Sequence, residues 1–501
     1  MRSRPVLNAM HECSIDVDTY NRHAEGLSRT KKCIARDKAM IFSGEQAKKL
    51  VSKIKSYKSQ VLFDDRVYDD LKRRLMPCEH VLKQGKAVPL DDKQAKLVIS
   101  RVGKEKIKGV AGCGKTTIIA QRAVNAHERH KDKVLIVTFN ITLKNLIKDR
   151  ISDILGYRDE KNFAVTNYHQ FYNTQINVSG QDISDLIGRL SLDGLYKTDC
   201  FQDCLLTRYQ TILVDEVQDF ESEWVKILRD NFLSSEGEMV LFGDESQNIY
   251  ERDNKRSAVI AQGFGSWKKL KRSYRTSLDS PLNQVFKDYQ SKYLIEKYSD
   301  SELIETIPVQ QGFTFEILEF HHCRGDWENQ SFEFIQKTIR ANNFNPNDVV
   351  ILSSNIYLVR KLADKFQEIE KTHCMFETYH ELHKMTSAYD HSLSLERLKL
   401  MSEDELHQYV YKNKELHSDM ERARRTKKNH FYANSGLIKL STVHSFKGLE
   451  SKTVFYLMDE KDTPEIVYTS ITRSVENLII LDVSKQSQFS EFFSSRMSKL
   501  I

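Results

Sequence analysis

A chain of 501 residues is too long for one ordinary domain and leaves room for two to four. Its 40% hydrophobic and 29% charged residues describe a globular protein with enough apolar mass for sizeable cores, which excludes a fibrous or disordered chain. The net charge of +6 suits a polyanionic partner without requiring one, and no apolar run approaches membrane-spanning length. Met1-Arg2-Ser3-Arg4-Pro5 is not followed by the apolar core of a signal peptide. The eight cysteines are scattered without C-x-x-C pairs, the pattern of reduced thiols, so a cytoplasmic protein with no membrane partner is expected. Cys200 with Cys204, and His321-His322-Cys323, lack the second half of a metal site and read as ordinary thiols.

In chain order, residues 1 to about 40 are polar and without periodicity. Ser43 and Gln46 then form a capping box, and Ala47, Leu50, Val51, Ile54 and Tyr57 follow at helical spacing. A second helical run, Val67 to Leu75, stops at Pro77. With no paired carboxylates of a nuclease in view, residues 1–88 read as a helical accessory region. Pro89 to Gln94 punctuates the boundary. Lys106 to Thr117 reads K-I-K-G-V-A-G-C-G-K-T-T and fits the P-loop pattern G-x-x-x-x-G-K-S/T. Gly109, Gly112 and Gly114 let the backbone curl around phosphate oxygens, Lys115 reaches the β- and γ-phosphates, and the Thr116 hydroxyl is placed to ligate Mg²⁺. The cofactor expected is therefore ATP with Mg²⁺, held along Gly109, Val110, Ala111, Gly112, Cys113, Gly114, Lys115, Thr116 and Thr117.

Strand-like and helix-like segments alternate beyond this point, the signature of an α/β fold with parallel sheets. Lys133–Phe139 is a continuous apolar strand followed by a helix with Leu143, Leu146 and Ile147. Patterning weakens from Ile151 to about Tyr209. Thr211–Val214 is a buried strand that ends in Asp215-Glu216, one acid for the Mg²⁺ shell and one to deprotonate the attacking water. Val240–Phe242 repeats the device and delivers Asp244 and Gln247, the latter placed to sense the γ-phosphate. Later strands are expected at Asp348–Ser353, Thr453–Met458 and Leu478–Val483. Between Phe376 and Asn434 a capping box at Ser402 and Glu405 opens an apolar stripe of Leu406, Tyr409, Leu416, Met420 and Ala423, read as one long helix with its connections. Its end carries Arg422, Arg424, Arg425, Lys427 and Lys428, a cationic C-terminus that suits the helix dipole equally as a nucleic-acid or partner contact.

Taken together, G-V-A-G-C-G-K-T-T, V-T-F-N, N-Y-H-Q-F, V-D-E-V-Q-D-F, G-D-E-S-Q-N-I-Y, R-S-Y-R-T, S-T-V-H-S-F-K-G-L-E and Y-T-S-I-T-R-S resemble, in order, the motifs of superfamily 1 helicases of the UvrD/Rep/PcrA type, from about Leu90 to Ile480. The resemblance implies two RecA-like P-loop domains with ATP between them and 3′→5′ movement on single-stranded DNA. The domains would span 89–270, with a small insertion at about 141–209, and 271–501, with a short helical insertion at about 376–434. It also implies that Gln94 reads the adenine, Tyr274 stacks on it, Glu450 meets the ribose, and Arg275 and Arg473 reach the γ-phosphate from the second domain. The catalytic set would be Lys115, Asp215, Glu216, Gln247, Arg275 and Arg473, with Thr116 and Asp215 on the metal. Strand contacts would fall on Phe139, Asn140, Tyr168, His169, Tyr250, Thr442 and His444, where aromatic rings stack on bases without reading sequence. Arg252 stands where the family often has a tryptophan, so an arginine plane or a phosphate contact replaces a stacking platform there. The partner implied is single-stranded or tailed duplex DNA. A nucleic-acid-gated ATPase that controls a nuclease or other protein is the alternative, and an RNA helicase a further one.

Overall fold

The computed structural model describes residues 90–497 apart from 158, 160, 203, 250–262, 299–301, 307–315, 430 and 432–434, and before residue 90 only 48, 49, 51 and 52. The accessory region 1–88, with its expected helices, otherwise lies outside the described residues.

Two six-stranded sheets, both parallel throughout, organise the chain. The first is built from β1 (Gly103–Gly109), β2 (Val134–Thr138), β3 (Phe163–Asn167), β4 (Tyr209–Val214), β5 (Leu233–Gly243) and β6 (Trp267–Leu270), in the order β3-β2-β4-β5-β1-β6. The second holds β7 (Leu318–His322), β8 (Val349–Ser353), β9 (Thr372–Cys374), β10 (Ile438–Thr442), β11 (Ser451–Met458) and β12 (Ser474–Asp482), in the order β7-β12-β11-β8-β10-β9. Central strands such as β2 and β8 are buried at every position, as expected where helices cover both faces of a parallel sheet. That double burial is why they stand out as apolar runs. An apolar cluster continues from Ile107, Ile136 and Leu213 of the first lobe to Val350, Tyr456 and Leu478 of the second, through the helices Pro281–Tyr293 and Pro464–Ile471. Among the described residues no helix is long and apolar enough to cross a membrane.

Both stretches expected as insertions hold more structure than their patterning suggests. The interval 141–209 contains β3, an integral strand of the first sheet, besides the helices Ile141–Leu155, Tyr168–Val178, Ile183–Leu190 and Leu192–Lys197. Among the described residues the interval 376–434 holds four helices, Tyr379–Thr386, Leu395–Leu400, Glu403–Lys412 and Lys414–Asn429, instead of one long one. The stripe from Leu406 to Met420 is interrupted at Asn413, which leaves the helical region (φ −109°, ψ 103°) and accepts from the amides of Glu415 and Leu416. Leu406, Val410, Leu416 and Met420 close on Tyr379, Leu382 and Leu398 as a small separate core.

A buried carboxylate helps to fasten this helical subdomain to the second lobe, beside links such as Lys399 to Asp364 and Asn355 to Glu403. Glu377, with no exposed surface, accepts two hydrogen bonds from Arg424 at 2.7 and 2.8 Å and pairs with Arg360 of the helix Ile356–Gln367. Burial pushes the Glu377 carboxyl up, but the two guanidinium groups outweigh it and hold the group below the usual glutamate range. Its stabilisation is therefore present at neutral pH and lost as pH falls through the lowered folded-state value. Glu377→Gln leaves the buried Arg360 without its counter-charge and Arg424 with Glu421 alone, and we expect a loss of about 3–5 kcal/mol, read as a fall in the urea midpoint at neutral pH. A midpoint within experimental error of wild type would disprove the clamp.

Candidate functional site

β1 ends at Gly109 and the helix Lys115–His130 begins after a five-residue loop. Gly112 and Gly114 adopt left-handed φ values of 75° and 85°. A Cβ on Gly112 would lie 2.5 Å from Ser273 Oγ and 2.9 Å from Arg275 Cγ, so glycine is required there for space as well as for backbone conformation, and at Gly114 for backbone conformation. The loop thereby lines a cavity at a helix N-terminus, the arrangement that receives phosphate. Lys115 Nζ donates to the Gly109 carbonyl at 2.7 Å and lies 3.7 Å from Asp244 Oδ2.

β4 and β5 deliver the acids. Asp215 continues the sheet through its amide to the Val137 carbonyl, and its carboxylate accepts from the Glu216 amide at 2.9 Å. Glu216 turns out of the strand with φ 53°, a left-handed geometry that is costly for a non-glycine residue. Gln218 ties this turn to β5, donating to Glu216 and accepting from the Asp244 amide at 3.0 Å. Gln247 donates to Asp244 Oδ2 at 2.7 Å.

From the second lobe, Arg473 donates to Gln247 Oε1 at 2.7 Å and is held by the carbonyls of Thr469 at 2.9 Å and Leu449 at 3.2 Å. Arg275 follows β6 of the first sheet and reaches across to Glu450 at 2.6 Å and the Thr472 carbonyl at 2.5 Å. Tyr274 donates its amide to the Gly112 carbonyl at 2.9 Å, and its hydroxyl bonds Asp91. Asp91 and Gln94 form a capping box at the helix Asp92–Leu97, which aims the Gln94 amide at the Cys113 carbonyl, 3.0 Å away.

These groups enclose one cavity of about 370 Å³. Lys115, Asp215, Glu216, Gln247, Arg275 and Arg473 all line it, as do Gln94, Ala111, Gly112, Cys113, Gly114, Thr116, Thr117, Tyr274 and Glu450. Gly109 and Val110 stand just behind, their carbonyls turned to Lys115. Burial pushes Asp215 and Asp244 upward, and the Glu216 charge adds to both shifts. For Glu216 burial acts in the same direction, but Lys447 and Lys115 overcome it and keep the carboxylate ionised. Arg473 is pushed down to about 9 by burial and by Arg275. Crowded carboxylates beside a threonine hydroxyl suit a hard divalent cation, and the glycine-walled loop suits a polyphosphate. The residues fit Mg²⁺ and a nucleoside triphosphate.

Two cavity-side residues escaped the sequence reading. Lys447, 1% exposed, crosses from the second lobe to bond Asp219 Oδ2 and the Gln247 carbonyl, each at 2.6 Å, and lies 3.7 Å from Glu216. Its place in H-S-F-K-G-L-E was the available signal. Arg150 lines the cavity one turn beyond Leu146, with nothing in K-D-R-I to distinguish it.

The expected strand contacts do not form a comparable set. Tyr168 is 1% exposed, stacked on Trp224 at 4.5 Å, with its hydroxyl on the Tyr196 carbonyl. It is a core residue, which corrects the expectation that its ring receives a base. Phe139 and His169 are half-buried against the same Trp224. Asn140 uses its amide on the carbonyls of His444, Ser445 and Lys447, so it grips the second lobe instead of presenting that amide to a strand. Thr442 caps the short helix Val443–Phe446 through the Ser445 amide. His444 is pushed down to about 4 by burial, Lys447 and Lys428, and so is neutral at physiological pH. Tyr250 and Arg252 lie outside the described residues.

No curated protein matches the chain. Residues 95–253 match the family model of an AAA domain, AAA_19. Residues 95–253, which carry the phosphate loop and the acids of β4 and β5, are thus similar to a P-loop domain of the AAA type, the kind found in UvrD/Rep-like helicases.

Proposed function

We propose that this protein is an ATP-driven motor on single-stranded DNA, a helicase or translocase of the UvrD/Rep/PcrA type that moves 3′→5′. Its two sheets would be two RecA-like domains, with ATP hydrolysed between them. The observation that supports this most is the composition of the cavity: a phosphate loop and two acids from one lobe face Glu450 and Arg473 from the other. Chemistry divided in this way proceeds only when the lobes are together, so turnover is tied to motion.

In the proposed reaction Lys115 turns from the Gly109 carbonyl to the β- and γ-phosphates. Thr116 and Asp215 would hold Mg²⁺, which screens phosphate charge when bound. Glu216, ionised under the influence of Lys447 and Lys115, accepts a proton from water as its oxygen attacks the γ-phosphorus and the bond to the bridging oxygen breaks. Arg275 and Arg473 meet the charge that spreads over the transferred phosphoryl oxygens. Gln247, bonded at once to Asp244 and Arg473, reports that group's position to both lobes.

Single-stranded DNA is expected to raise the ATPase rate strongly, because a strand lying across both lobes favours the closed cleft. An ATPase rate indifferent to DNA and RNA alike would defeat the motor reading. The helical subdomain 379–429 is small and leans on the second lobe, so grip on duplex is expected to be the weak point. Base-pair opening needs only about 1.4 kcal/mol per step. We expect streptavidin to be displaced from a 5′ end while a long 3′-tailed duplex opens poorly. Stimulated hydrolysis without displacement would favour the gated ATPase that controls a nuclease or other partner, a reading supported by the way the last helix of that subdomain touches both lobes.

A further inference from the structure

The two arginines at the cavity are braced by the same two dipeptides of the second lobe. Leu449 offers its carbonyl to Arg473 Nη1 at 3.2 Å, and its neighbour Glu450 accepts from Arg275 Nε at 2.6 Å. Thr472 offers its carbonyl to Arg275 Nη1 at 2.5 Å and its hydroxyl oxygen to Arg473 Nη2 at 3.2 Å. Arg275 itself comes from the chain after β6, and its side chain crosses the phosphate loop: a Cβ on Gly112 would lie 2.9 Å from its Cγ and 3.1 Å from its Cδ. One carboxylate and one carbonyl thus draw its guanidinium from the first lobe onto the second.

That guanidinium is unevenly engaged. Nε and Nη1 are taken, while Nη2 makes no hydrogen bond among the described residues, and the side chain lines the cavity. Arg473, by contrast, engages all three nitrogens, on Thr469, Leu449, Gln247 and Thr472. Among the described residues Glu450 is the only carboxylate that pairs with Arg275. The two guanidinium groups are close enough for Arg275 to push Arg473 down, and Glu450 is among the carboxylates that act the other way. A planar group already fixed on two nitrogens gives up little further freedom when the third meets an oxygen.

We propose that Glu450 is a positioning residue for Arg275, holding its Nε so that Nη2 is left for the oxygens of the transferred phosphoryl group. This deepens the ATP-hydrolysis reading above and rests on it. It gives the carboxylate a different task from the ribose contact that the family resemblance implies. Its loss is therefore felt in the chemical step, through Arg275, and not in nucleotide binding.

The test is steady-state hydrolysis of ATP, 2′-deoxy-ATP and 3′-deoxy-ATP by the full chain with oligo(dT) present. The Glu450 side chain is 30% exposed, so its replacement is expected to leave the fold intact, and melting temperature checks this. Glu450→Ala is expected to lower kcat by about 10², the scale on which a misplaced group costs rate, with KM little changed and the same factor for all three nucleotides. Glu450→Gln accepts a hydrogen bond without carrying charge, and should recover only part of the loss, because a carboxylate–guanidinium pair is charge-assisted. Should the alanine variant melt early, the glutamine variant carries the same comparison. Glu450→Ala added to Arg275→Ala should cost nothing beyond Arg275→Ala alone, since the carboxylate acts through that arginine. A loss confined to KM, or smaller with either deoxynucleotide than with ATP, would overturn the proposal in favour of a ribose contact. Losses that multiply in the double variant would overturn it too, as would wild-type kcat in well-folded Glu450→Ala or Arg275→Ala. Wild-type protein that hydrolyses none of the three nucleotides would instead overturn the ATPase reading itself.

Discussion

Arg473→Ala is expected to lower ATP turnover by about 10³–10⁵, the range over which an arginine that meets transition-state charge acts. The argument rests on position. Arg473 is 2% exposed, so its charge acts in a medium poor in water, and its depressed pKa of about 9 reflects burial and the nearby Arg275. A second positive charge kept this close in a buried site is unfavourable until phosphate charge arrives between the two. Arg473 also supplies the hydrogen bond to Gln247 that joins the lobes at the cavity. The loss should appear in kcat, with nucleotide affinity changed far less, because charge on the phosphoryl oxygens is redistributed only in the transition state. Arg473→Lys retains charge but not the three-directional hydrogen bonding to Thr469, Leu449 and Gln247, and should recover only part of the rate. A single-turnover assay with labelled ATP, alongside fluorescent-nucleotide binding and a melting curve, separates these effects. Turnover within tenfold of wild type in the alanine variant would remove Arg473 from the chemistry.

The sequence disclosed elements in proportion to how far they are buried on both faces. β2, β4, β8, β11 and β12 read as apolar runs because helices cover both sides of them. β10 escaped notice although it lies inside its sheet, because Ile438–Thr442 contains Lys439, whose buried ammonium is satisfied by the Asn347 carbonyl. The strands β3, β6, β7 and β9 are only partly buried, and Trp267–Leu270 buries only Leu270. In the subdomain 379–429, apolar spacing continued across Asn413 without a break in pattern; the cap that ends one helix and starts the next is a local polar event that periodicity does not register.

The cavity was legible for a different reason: phosphate chemistry constrains residue type and spacing together, as with glycines at 112 and 114 followed by Lys115 and Thr116. Strand contacts are less constrained. An aromatic residue serves a base or a core equally well in sequence, and Tyr168 was read as the former while it packs on Trp224. Lys447 and Arg150 went unremarked because a lysine or arginine acquires meaning only from what lies opposite it, here Asp219 and Glu216 for the one and the cavity for the other.

Glu216→Gln is expected to slow hydrolysis by about 10²–10⁴ while ATP and DNA still bind, since the amide occupies the same volume but accepts no proton. The dependence on Lys447 makes the assignment specific. Burial pushes the Glu216 carboxyl up, away from the form that accepts a proton; Lys447, 3.7 Å away and itself 1% exposed, is the largest opposing influence. Lys447 belongs to the second lobe, so its influence on the carboxylate is exerted across the contact between the lobes, beside that of Lys115 from the first. For a group whose folded pKa is held down, loss of the cause moves the pKa up, so Lys447→Gln should shift the acid limb of the pH–kcat profile to higher pH. The same substitution leaves Asp219 buried without its lysine, so a lower melting temperature is expected and must be measured alongside the rates. In the double variant the pH shift should vanish, because there is no longer a carboxylate at position 216 to titrate. An acid limb in Lys447→Gln that stays where it is in wild type would show that Lys447 joins the lobes without setting the ionisation of Glu216. A limb that still moves up when Lys447→Gln is added to Glu216→Gln would assign the titration to another group, and Asp215, raised by burial and itself held down in part by Lys447, would be that group.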